Sequence, residues 1–493
     1  MTHPRSRPLD IAIIGGGASG TLTAVHLLRQ ASVRRQPLRI RLIDQHARHG
    51  LGQAYSTGDP AHLLNAMAGQ MSAVSGDPDH LLKWAAADAR QCSAEGGEPT
   101  STTFLSRADY GRYVRDTLAD AEHRALRAAT LTRVTAEVRS VRRVDADRTL
   151  RVILADGQID ADIAVLATGN APARLPFEVP PSERIVADPW RPGALAGLTG
   201  GASQRPGRGR PPLPDPDDGS VVIVGTGLTM LDLAVTISAS NPHLVIHAVS
   251  RHGLLPRPHP GTPTAQRQLW LPVLTRSTGP VHLADLMWQV RAAIAASPVA
   301  WFDVIDALRP FVPGLWRRMP LQDKGLFLRH VARYWEVHRH LVPPATARQI
   351  AALTATGRLR VHRGRVAAVT EHADGLRITA DIGGDTLRFA ADWLVNGTGS
   401  TADVTATASP LLHDLFVTGD ARPDPLRLGI DAAADGRVVS QAGAPSNVLF
   451  ALGPPLRGVW YETTAIPEIR EQAAALAHLI NSDLPVTSPG SAA

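Results

Sequence analysis

The first hydrophobic segment of the chain, residues 11–14, is a short continuous apolar run of the kind that forms a buried parallel strand. From residue 21 to residue 30 the apolar positions return at helical spacing. Between the two lie Gly15, Gly17 and Gly20. In a strand–turn–helix unit the first glycine makes the tight turn, the second admits a pyrophosphate to the backbone, and the third lets the helix pack on the strand. This pattern predicts a dinucleotide-binding fold.

The next apolar segment ends in an acidic residue. The stretch LRIRLIDQH reads as a second strand that ends at Asp44, where a carboxylate would accept hydrogen bonds from an adenosine ribose. We therefore assign FAD to this first fold. A turn without a ligand is the alternative, and the order of strand, glycines, helix, strand and acid makes it the weaker one.

A second copy of the pattern begins at residue 220. A strand is followed by Gly225 and Gly227, by a helix, and by a further strand that ends in Ser250 and Arg251. Serine and arginine at that place suit the 2′-phosphate of NADPH, which an arginine binds through charge-assisted hydrogen bonds. The alternative for Arg251 is a solvated surface arginine. The pattern predicts an α/β protein with two Rossmann-like dinucleotide-binding domains, for FAD and for NADPH.

Two short strands that end in Thr-Gly turns mark where each fold closes. The stretches ADIAVLATGNAP and ADWLVNGTGS place Thr168, Gly169 and Gly399 at such turns, as expected cofactor contacts. They predict an FAD domain formed by residues 1–170 and 395–480, with an NADPH domain, residues 171–394, inserted into it. We expect Gly453 to meet the cofactor, and a closing helix over residues 462–480, beginning near Pro467, to face the flavin ring.

Two segments lack any periodicity. Residues 193–219 are rich in Gly, Pro and Arg and predict a mobile surface loop of unassigned role, and residues 481–493 predict a disordered tail.

Residues 281–345 have a different, helical character. The amphipathic stretches concentrate four tryptophans, Trp288, Trp301, Trp316 and Trp335. Such a helical cap over the nicotinamide side could form the substrate pocket, with one of three arginines holding a carboxylate: Arg309, Arg329 or Arg339. The alternative is an ordinary helical subdomain with its arginines in solvent. His338 and His340 invite a metal interpretation, but no third ligand stands at a suitable spacing, so no metal site is predicted.

Composition narrows the class of protein. The chain has 493 residues, and only Lys83 and Lys324 among its 51 basic residues are lysines. The arginines are scattered among acids rather than gathered into a patch, so nucleic-acid binding is not expected. Cys92 is the only cysteine, which excludes an internal disulfide. No apolar run approaches the roughly 18 residues that span a bilayer, and no signal peptide is evident, so we expect a cytoplasmic protein whose oligomeric state is open.

A longer set of stretches carries a family resemblance. LGQAYSTGDPAHLLNAMAGQMSAVSGDPDHLLKWA, GTGLTMLD, SRHGLLPRPH and GVWYETTAIPEIREQAAALA occur in this order. Together they resemble the FAD-NAD(P)-binding family related to class B flavin monooxygenases, whose layout is similar to that of amine N-hydroxylases and Baeyer–Villiger enzymes. The resemblance implies FAD and NADPH as cofactors, and flavin-dependent N-oxygenation of an amino acid or amine as the activity.

The first of these stretches is expected to lie along the flavin. Asn65 could offer a donor and an acceptor to the flavin edge, as a candidate catalytic residue, and the backbone of Met71 and Ser72 could contact the ring. A turn-forming role is the alternative for Asn65. His62 is expected to be an ordinary loop histidine, and the role of His259 stays open.

The chemistry follows from the cysteine count. A flavin reduced by NADPH passes its electrons to a disulfide, to an acceptor or to oxygen, and this chain has no dithiol. We therefore expect an NADPH-dependent monooxygenase that takes O2 and a small polar substrate, with N-hydroxylation of an amine or amino acid favoured. An NADPH-dependent flavin oxidoreductase or oxidase without oxygen transfer is the alternative enzyme. A flavin-binding redox sensor is the non-enzymatic alternative, which the second nucleotide site disfavours.

Overall fold

The structure is a computed structural model that describes residues 7–34, 37–87, 98–144, 149–199, 219–260, 278–296, 301–399 and 403–482. Its strands, in chain order, are β1 (Leu9–Ile14), β2 (Leu38–Asp44), β3 (Ala129–Thr135), β4 (Val138–Arg143), β5 (Leu150–Leu154), β6 (Gly157–Ala161), β7 (Ile163–Leu166), β8 (Ile185–Val186), β9 (Ser220–Val224), β10 (Val245–Ser250), β11 (Leu359–His372), β12 (Gly375–Ile382), β13 (Asp385–Ala391), β14 (Trp393–Asn396), β15 (Arg437–Val439) and β16 (Pro445–Ala451).

Helices cover both sheets and form a separate group between β10 and β11 of the second sheet. They are α1 (Ala18–Arg34), α2 (His80–Ala87), α3 (Arg107–Ala125), α4 (Ala196–Thr199), α5 (Leu228–Ser240), α6 (Leu283–Ala296), α7 (Trp301–Leu308), α8 (Val312–Arg318), α9 (Leu321–Leu326), α10 (Ala332–Arg339), α11 (Pro344–Ala355), α12 (Pro410–Thr418), α13 (Arg457–Trp460) and α14 (Ile466–Ser482). A π-helical turn, Phe327–Val331, joins α9 to α10.

The first sheet has six strands in the order β15-β16-β7-β1-β2-β3. All neighbours pair parallel except β15 and β16. The apolar residues of β1 are buried on both sides, because α1, α3 and α14 pack on one face of the sheet while the small β4-β5-β6 sheet and α12 cover the other. This burial explains why β1 reads as a continuous hydrophobic run instead of an alternating one.

The second sheet has seven strands in the order β13-β12-β11-β10-β9-β14-β8. Its strands β11, β10, β9, β14 and β8 pair parallel, and β11, β12 and β13 form an antiparallel meander. All seven strands lie in the chain between β7 and β15 of the first sheet. The predicted fold class, an α/β protein with two Rossmann-like units and a helical insert, is confirmed, while the predicted domains and their boundaries at residues 170, 394 and 480 stay predictions.

The helical insert has a core of its own. Buried residues of α6, α7, α8 and the π-helical turn pack together with Tyr461 from the far end of the chain. We call the segment from α6 to α10 the cap. The helix that follows it, α11, packs with α5 in the core of the second sheet through Ile350 and Leu353.

Three segments predicted from the sequence have different boundaries in the structure. The closing helix runs to Ser482, because Ile480 is buried and the side chain of Asn481 bonds that of Gln30 on α1 at 3.0 Å. The predicted tail is therefore helical at residues 481–482, and its remainder, 483–493, lies outside the described residues. Within the predicted loop 193–219, residues 196–199 form one helical turn, and residues 200–218 likewise lie outside the described residues, as does Cys92.

No helix in the described part of the chain is both long and apolar enough to cross a bilayer.

Candidate functional site

The two glycine turns predicted from the sequence have the same backbone geometry. Gly15 has φ +113° and Gly225 has φ +112°, values that side chains rarely allow. Each donates its N–H to the end of the neighbouring strand, Gly15 to the carbonyl of Ile43 and Gly225 to that of Val249, both at 2.8 Å. The two segments are therefore copies of one strand–turn–helix unit.

The chain itself explains why side chains are excluded at some of these glycines. A Cβ on Gly15 would meet the carbonyl of Ala167, and a Cβ on Gly225 would meet that of Gly397, so each first glycine lies against the residue before a Thr-Gly turn. A Cβ on Gly20 would overlap the carbonyl of Gly15. A Cβ on Gly227, by contrast, would have nothing within 4 Å. Of these four glycines, only Gly227 leaves open space for a ligand above its turn.

A cleft of about 940 Å³ opens beside the first glycine turn. It is lined by predicted cofactor residues of the first fold, Gly15, Gly17, Asp44, Thr168 and Gly169. Its other walls come from elsewhere in the chain: residues 136–138, 187–192, Asn396, Thr398, 407–412, 428–430 and 454–455. Because residues 187–192 follow β8 and Asn396 ends β14, both strands of the second sheet, the cleft lies between the two dinucleotide folds.

Asp44 has the hydrogen-bonding pattern that a ribose requires. Its Oδ1 accepts the N–H groups of His46 and Arg48 at 2.9 and 3.1 Å, and its Oδ2 accepts that of Gly16 at 3.1 Å. A carboxylate has about four acceptor positions, so one on Oδ2 remains for a ligand hydroxyl. The open cleft, the turn at the start of α1 and this remaining acceptor fit the adenosine end of FAD.

The second nucleotide turn is held by hydroxyl groups. Ser250 Oγ lies 2.8 Å from Oγ1 of Thr226 and accepts the N–H of Gly253 at 3.1 Å. Thr226 also donates to the carbonyl of Leu254 at 2.7 Å. Ser250 thus shapes the turn, and its hydroxyl is already engaged there.

Three arginines surround this turn. Arg251 is exposed, and Arg363, also exposed, lies within β11 in register with Ser250 of β10. Arg333 of the cap donates to the carbonyl of Leu254 at 2.8 Å. Burial, and then the charges of all three arginines, lower the pKa of the neighbouring His252. Such a concentration of positive charge suits a phosphate.

Sequence reasoning identified only Arg251 of these three arginines. Arg363 lies in a recognisable strand, but the sequence does not show that this strand, β11, pairs with β10. Arg333 lies in the cap, far from Arg251 along the chain, so no local sequence pattern connects the two arginines.

Several predicted cofactor residues lie outside the lining of the cleft. Asn65 is half-buried, Met71 is buried in the core of the first sheet, and Ser72 donates its hydroxyl to the carbonyl of Asp77 at 2.6 Å. Gly453 precedes the lining residue Pro454, and a Cβ there would meet the hydroxyl of Ser19. Their roles toward a flavin stay predictions.

Two further cofactor predictions lie beside lining residues. Pro467 stands in the first turn of α14, whose neighbour Ile466 lines the cleft. Gly399 follows the lining residue Thr398, with nothing within 4 Å of an added Cβ.

The three candidate substrate arginines have different surroundings. Arg309 donates from Nε and Nη2 to the two carboxylate oxygens of Glu468, at 2.8 and 2.9 Å, so this edge of its guanidinium is engaged within the protein. Arg329 is exposed. Arg339 lies 3.5 Å from Glu462, and its buried Nε has no hydrogen-bond partner among the described residues. Arg309 thus joins the cap to α14, and the substrate roles of the three arginines stay predictions.

The histidines singled out in the sequence join separate parts of the chain. His62 is a loop histidine, as expected; it is buried, and its ring nitrogens contact Thr57 at 2.7 Å and Thr236 on α5 at 2.8 Å, which ties its loop to α5. His259 packs edge-on between Phe104 and Phe302.

The His338-x-His340 pair has structural contacts. His338 contacts the carbonyl of Tyr334 at 2.7 Å through Nδ1, and burial lowers the pKa of His340. Within the described ranges, no three metal-ligating side chains come together.

This chain is similar to a known protein family and to several solved structures. Residues 12–171 match the FAD-NAD(P)-binding family. No curated protein sequence matches the chain. Among solved structures, the ornithine N-hydroxylase of Kutzneria sp. 744 has a similar fold, with a TM-score of 0.62 and 15% identity over 96% of this chain and 99% of that one.

Two further solved structures are similar over the whole chain. The L-lysine 6-monooxygenase of Pseudomonas syringae has a TM-score of 0.62 and 16% identity over 96% of this chain and 99% of that one. The ornithine hydroxylase of Pseudomonas aeruginosa has a TM-score of 0.60 and 14% identity over 96% of this chain and 98% of that one.

These findings define the class of protein. Residues 12–171 form an FAD-NAD(P)-binding domain, and the chain has the fold of FAD- and NADP-dependent oxidoreductases. The predicted fold class is confirmed, and the match over residues 12–171 supports the predicted family and cofactors.

Proposed function

We propose that this flavin oxidoreductase is an FAD- and NADPH-dependent monooxygenase that N-hydroxylates an amine. The observation that carries the proposal is the cleft lined by the first glycine turn on one side and by residues 187–192, Asn396 and Thr398 on the other. A flavin bound there would lie beside the unit that contains the second nucleotide turn. Cys92 is the only cysteine, so the chain has no dithiol of its own to receive the electrons.

The proposed reaction is balanced as R–NH2 + O2 + NADPH + H+ → R–NHOH + NADP+ + H2O. One oxygen atom forms the N–O bond, and the other leaves as water with two electrons from NADPH. When bound, FAD supplies the transfer of those electrons from NADPH to oxygen. The residues of the chain bind and orient: the amides at the start of α1 hold the pyrophosphate, and Asp44 holds the ribose.

We assign the 2′-phosphate of NADPH to Arg251 and Arg363. Both are exposed beside the second nucleotide turn, and neither has an ion pair with another residue of the described part of the chain. Arg333 donates to the backbone carbonyls of Thr226 and Leu254, so it contributes positive charge but no free pair of N–H groups for the phosphate. The similar structure from Kutzneria sp. 744, solved with reduced FAD, NADP+ and L-ornithine, supports the pairing of a flavin with this nucleotide.

The reaction is tested by following the oxygen atom. The purified protein is loaded with FAD, reduced anaerobically with NADPH, and then exposed to 18O2 with a panel of amines and amino acids. We expect the flavin absorbance to bleach with NADPH and one 18O atom to appear in a hydroxylamine product by mass spectrometry. Bleaching followed only by hydrogen peroxide, with every amine unchanged, would identify an oxidase and contradict the proposal.

The nucleotide assignment is tested by paired variants. Arg251→Ala and Arg363→Ala should each weaken NADPH binding about tenfold, because each removes a charge-assisted contact, whereas NADH binding should fall much less. Arg365→Ala is the matched control, since Arg365 is an exposed arginine on the same strand. The measurement is the nucleotide dependence of anaerobic flavin reduction. An equal loss with both nucleotides would remove the 2′-phosphate argument.

A further inference from the structure

A row of four aromatic side chains leads away from the cofactor cleft, the cleft of about 940 Å³ beside the first glycine turn. Tyr55 lines that cleft, and its ring centroid lies 4.7 Å from that of Tyr110 on α3. The next centroids follow at 5.5 Å, from Tyr110 to Tyr113, and at 5.4 Å, from Tyr113 to Trp84 on α2. Centroids about 4.5–7 Å apart belong to rings in contact. The four rings, which we call the aromatic row, are therefore continuous from the cleft to α2.

The near end of the aromatic row lies beside the proposed FAD site. Residues 51–55 all line the cleft, and the backbone of Gly52 would be 3.4 Å from a Cβ placed on Gly17. The segment that carries Tyr55 therefore runs along the glycine turn assigned to the pyrophosphate. An oxidant that forms in the cleft has Tyr55 in its wall.

The far end of the aromatic row lies at the surface. Trp84 is half-buried, and its indole N–H donates to the carboxylate of Asp116 at 3.0 Å. Asp116 is exposed, and the guanidinium of Arg112 lies 5.8 Å from the centroid of the same indole. The carboxylate stabilises a positive charge on the indole and the guanidinium opposes it. Trp84 thus combines an oxidisable ring with a position beside solvent.

Tyr113 has a proton acceptor at its hydroxyl. A phenol that loses an electron becomes strongly acidic, so its oxidation requires a base within hydrogen-bonding distance. The hydroxyl of Tyr113 accepts the N–H of Ala73 at 2.9 Å and lies 2.9 Å from Nδ1 of His80. Burial lowers the pKa of His80, which keeps its imidazole neutral and Nδ1 able to accept the phenolic proton. Tyr113 can therefore give up an electron and a proton together.

Tyr110 lacks such a base. It is fully buried, and its hydroxyl has no hydrogen-bond partner among the described residues. Burial raises the pKa of Tyr55 and Tyr113 to about 12 and that of Tyr110 well above its ordinary value, so all three are protonated phenols at neutral pH. Because Tyr110 cannot release its proton, its ring serves only as the medium through which an electron tunnels from Tyr113 towards the cleft.

We propose that the aromatic row carries oxidising equivalents out of the cofactor cleft to the protein surface, with Tyr113 and Trp84 as successive electron donors. Such a route removes oxidants that would otherwise attack the residues of the cleft. The inference goes beyond the proposed hydroxylation, since it requires a bound flavin and oxygen but no amine.

Each step is balanced in electrons and protons. The oxidant, by class a radical of partly reduced oxygen or a photoexcited flavin, gains one electron. Tyr113 loses that electron while its phenolic proton moves to Nδ1 of His80. Trp84 then gives one electron to Tyr113, and the proton returns from His80 to the phenol oxygen. A soluble thiol or ascorbate restores Trp84 with one electron at the surface.

A laser flash tests the route without turnover. The FAD-loaded full chain is excited in the presence of ferricyanide, which accepts the electron that the flavin removes from the protein. Transient absorption and electron paramagnetic resonance then distinguish tyrosyl from tryptophanyl radicals. We expect a tryptophanyl radical in the wild type and a tyrosyl radical in Trp84→Phe, because Trp84 is the last donor of the row. Its appearance should slow about twofold in D2O, since Tyr113 must transfer a proton. A flash that produces no protein radical would overturn the inference.

Paired variants locate the route. Tyr110→Phe keeps the ring and should leave the radical yield within about twofold of the wild type, whereas Tyr110→Leu removes the ring and should lower the yield about tenfold. Trp288→Phe is the matched control for Trp84→Phe, because Trp288 is 71% exposed on α6 and lies outside the row. Flavin content and thermal unfolding verify that each variant is folded.

Tyr113→Phe is the second variant if Tyr110→Leu does not fold. It removes the hydroxyl that faces His80 and should likewise lower the radical yield about tenfold. A wild-type yield in either folded variant would contradict the inference. Loss of the tryptophanyl signal in Trp288→Phe instead of Trp84→Phe would contradict it as well.

The protective role is measured during oxidation of NADPH without an amine. Mass spectrometry of the wild type should find oxidation at Trp84, and that of Tyr110→Leu should find it at residues that line the cleft. Oxidation confined to the cleft in the wild type would contradict the role. The two proposals fail separately: flash-induced radicals without any hydroxylamine product would refute only the proposed function, and hydroxylamine without flash-induced radicals would refute only the present inference.

Discussion

Glycines at different places of the same sequence pattern are required for different reasons. At Gly20 the protein's own backbone fills the space of a side chain, whereas at Gly227 the space is empty and the backbone, with φ −86°, suits any residue. Gly20 serves the packing of α1 on β1. Gly227 leaves room for a nucleotide to approach the start of α5.

This difference gives a prediction at the residue scale. Gly227→Ala should fold with full FAD content and bind NADPH at least tenfold more weakly, because its methyl group occupies the ligand's space. Gly20→Ala should lose about 3 kcal/mol of stability and much of its FAD, since α1 must shift away from Gly15. Thermal unfolding, flavin content and NADPH titration measure the two effects. A Gly20→Ala protein with wild-type stability and FAD content would show that this contact is relieved at little cost.

At the scale of elements, the cap is attached to the first dinucleotide fold by a buried ion pair. Arg309 follows α7, Glu468 lies in the first turn of α14, and their side chains are only 14% and 17% exposed. Burial alone would raise the pKa of Glu468, but the hydrogen bonds and charge of Arg309 outweigh it and hold that pKa below its usual value. The contribution of Glu468 to stability is therefore present above the ordinary glutamate pKa and is lost as the pH falls through the lowered one.

Arg309→Met tests this attachment. At pH 7 it should destabilise the protein by about 3–5 kcal/mol, because it leaves Glu468 buried without a partner. Acidification below pH 4 should then reduce the stability of the wild type more than that of the variant, whose Glu468 has already lost its lowered pKa. Denaturant unfolding at several pH values measures both.

Arg133→Met is the control for the Arg309 variant. It breaks the more exposed pair of Arg133 and Glu122, whose atoms lie 2.9 Å apart, and should leave unfolding unchanged. Parallel pH curves for the wild type and Arg309→Met would contradict the role given to the buried pair.

At the scale of the whole molecule, contacts between the two dinucleotide folds set the distance between their cofactors. Arg107 at the start of α3 forms an ion pair with Asp232 of α5 at 2.8 Å, and His62 contacts Thr236 one turn further along α5. Burial, which outweighs the charge of Arg107, raises the pKa of Asp232. A small rotation of one fold against the other would change the overlap of the two ring systems.

Asp232→Asn should therefore slow a step that needs both cofactors. We expect anaerobic flavin reduction by NADPH to slow about tenfold, with the affinities for FAD and NADPH changed less than twofold, because Asp232 is buried and does not line the cofactor cleft. Asp285→Asn, at an exposed position on α6, is the control. Stopped-flow spectroscopy separates the rate from the affinity. A lower NADPH affinity with an unchanged limiting rate would make Asp232 a binding residue instead.

The sequence by itself determined the two dinucleotide units. Strand, glycine turn, helix and acid lie within about 35 residues of one another, so their pattern depends on local backbone geometry that the chain spells out in order. In the structure, the first glycine of each unit, Asp44 and Thr168 stand at the turns and strand ends that this pattern predicts, while their cofactor roles stay predictions. The helical character of the cap was equally visible in its periodicity.

Only the tertiary structure decided what the distant side chains do. Arg363 reaches Ser250 because β11 adds beside β10, Arg309 is taken by Glu468 from 159 residues further along, and Tyr461 closes a cavity built from the cap. A sequence records which residues are apolar or charged, but not which of them the packing brings together. The difference between a free substrate arginine and a buried ion pair is therefore settled in three dimensions.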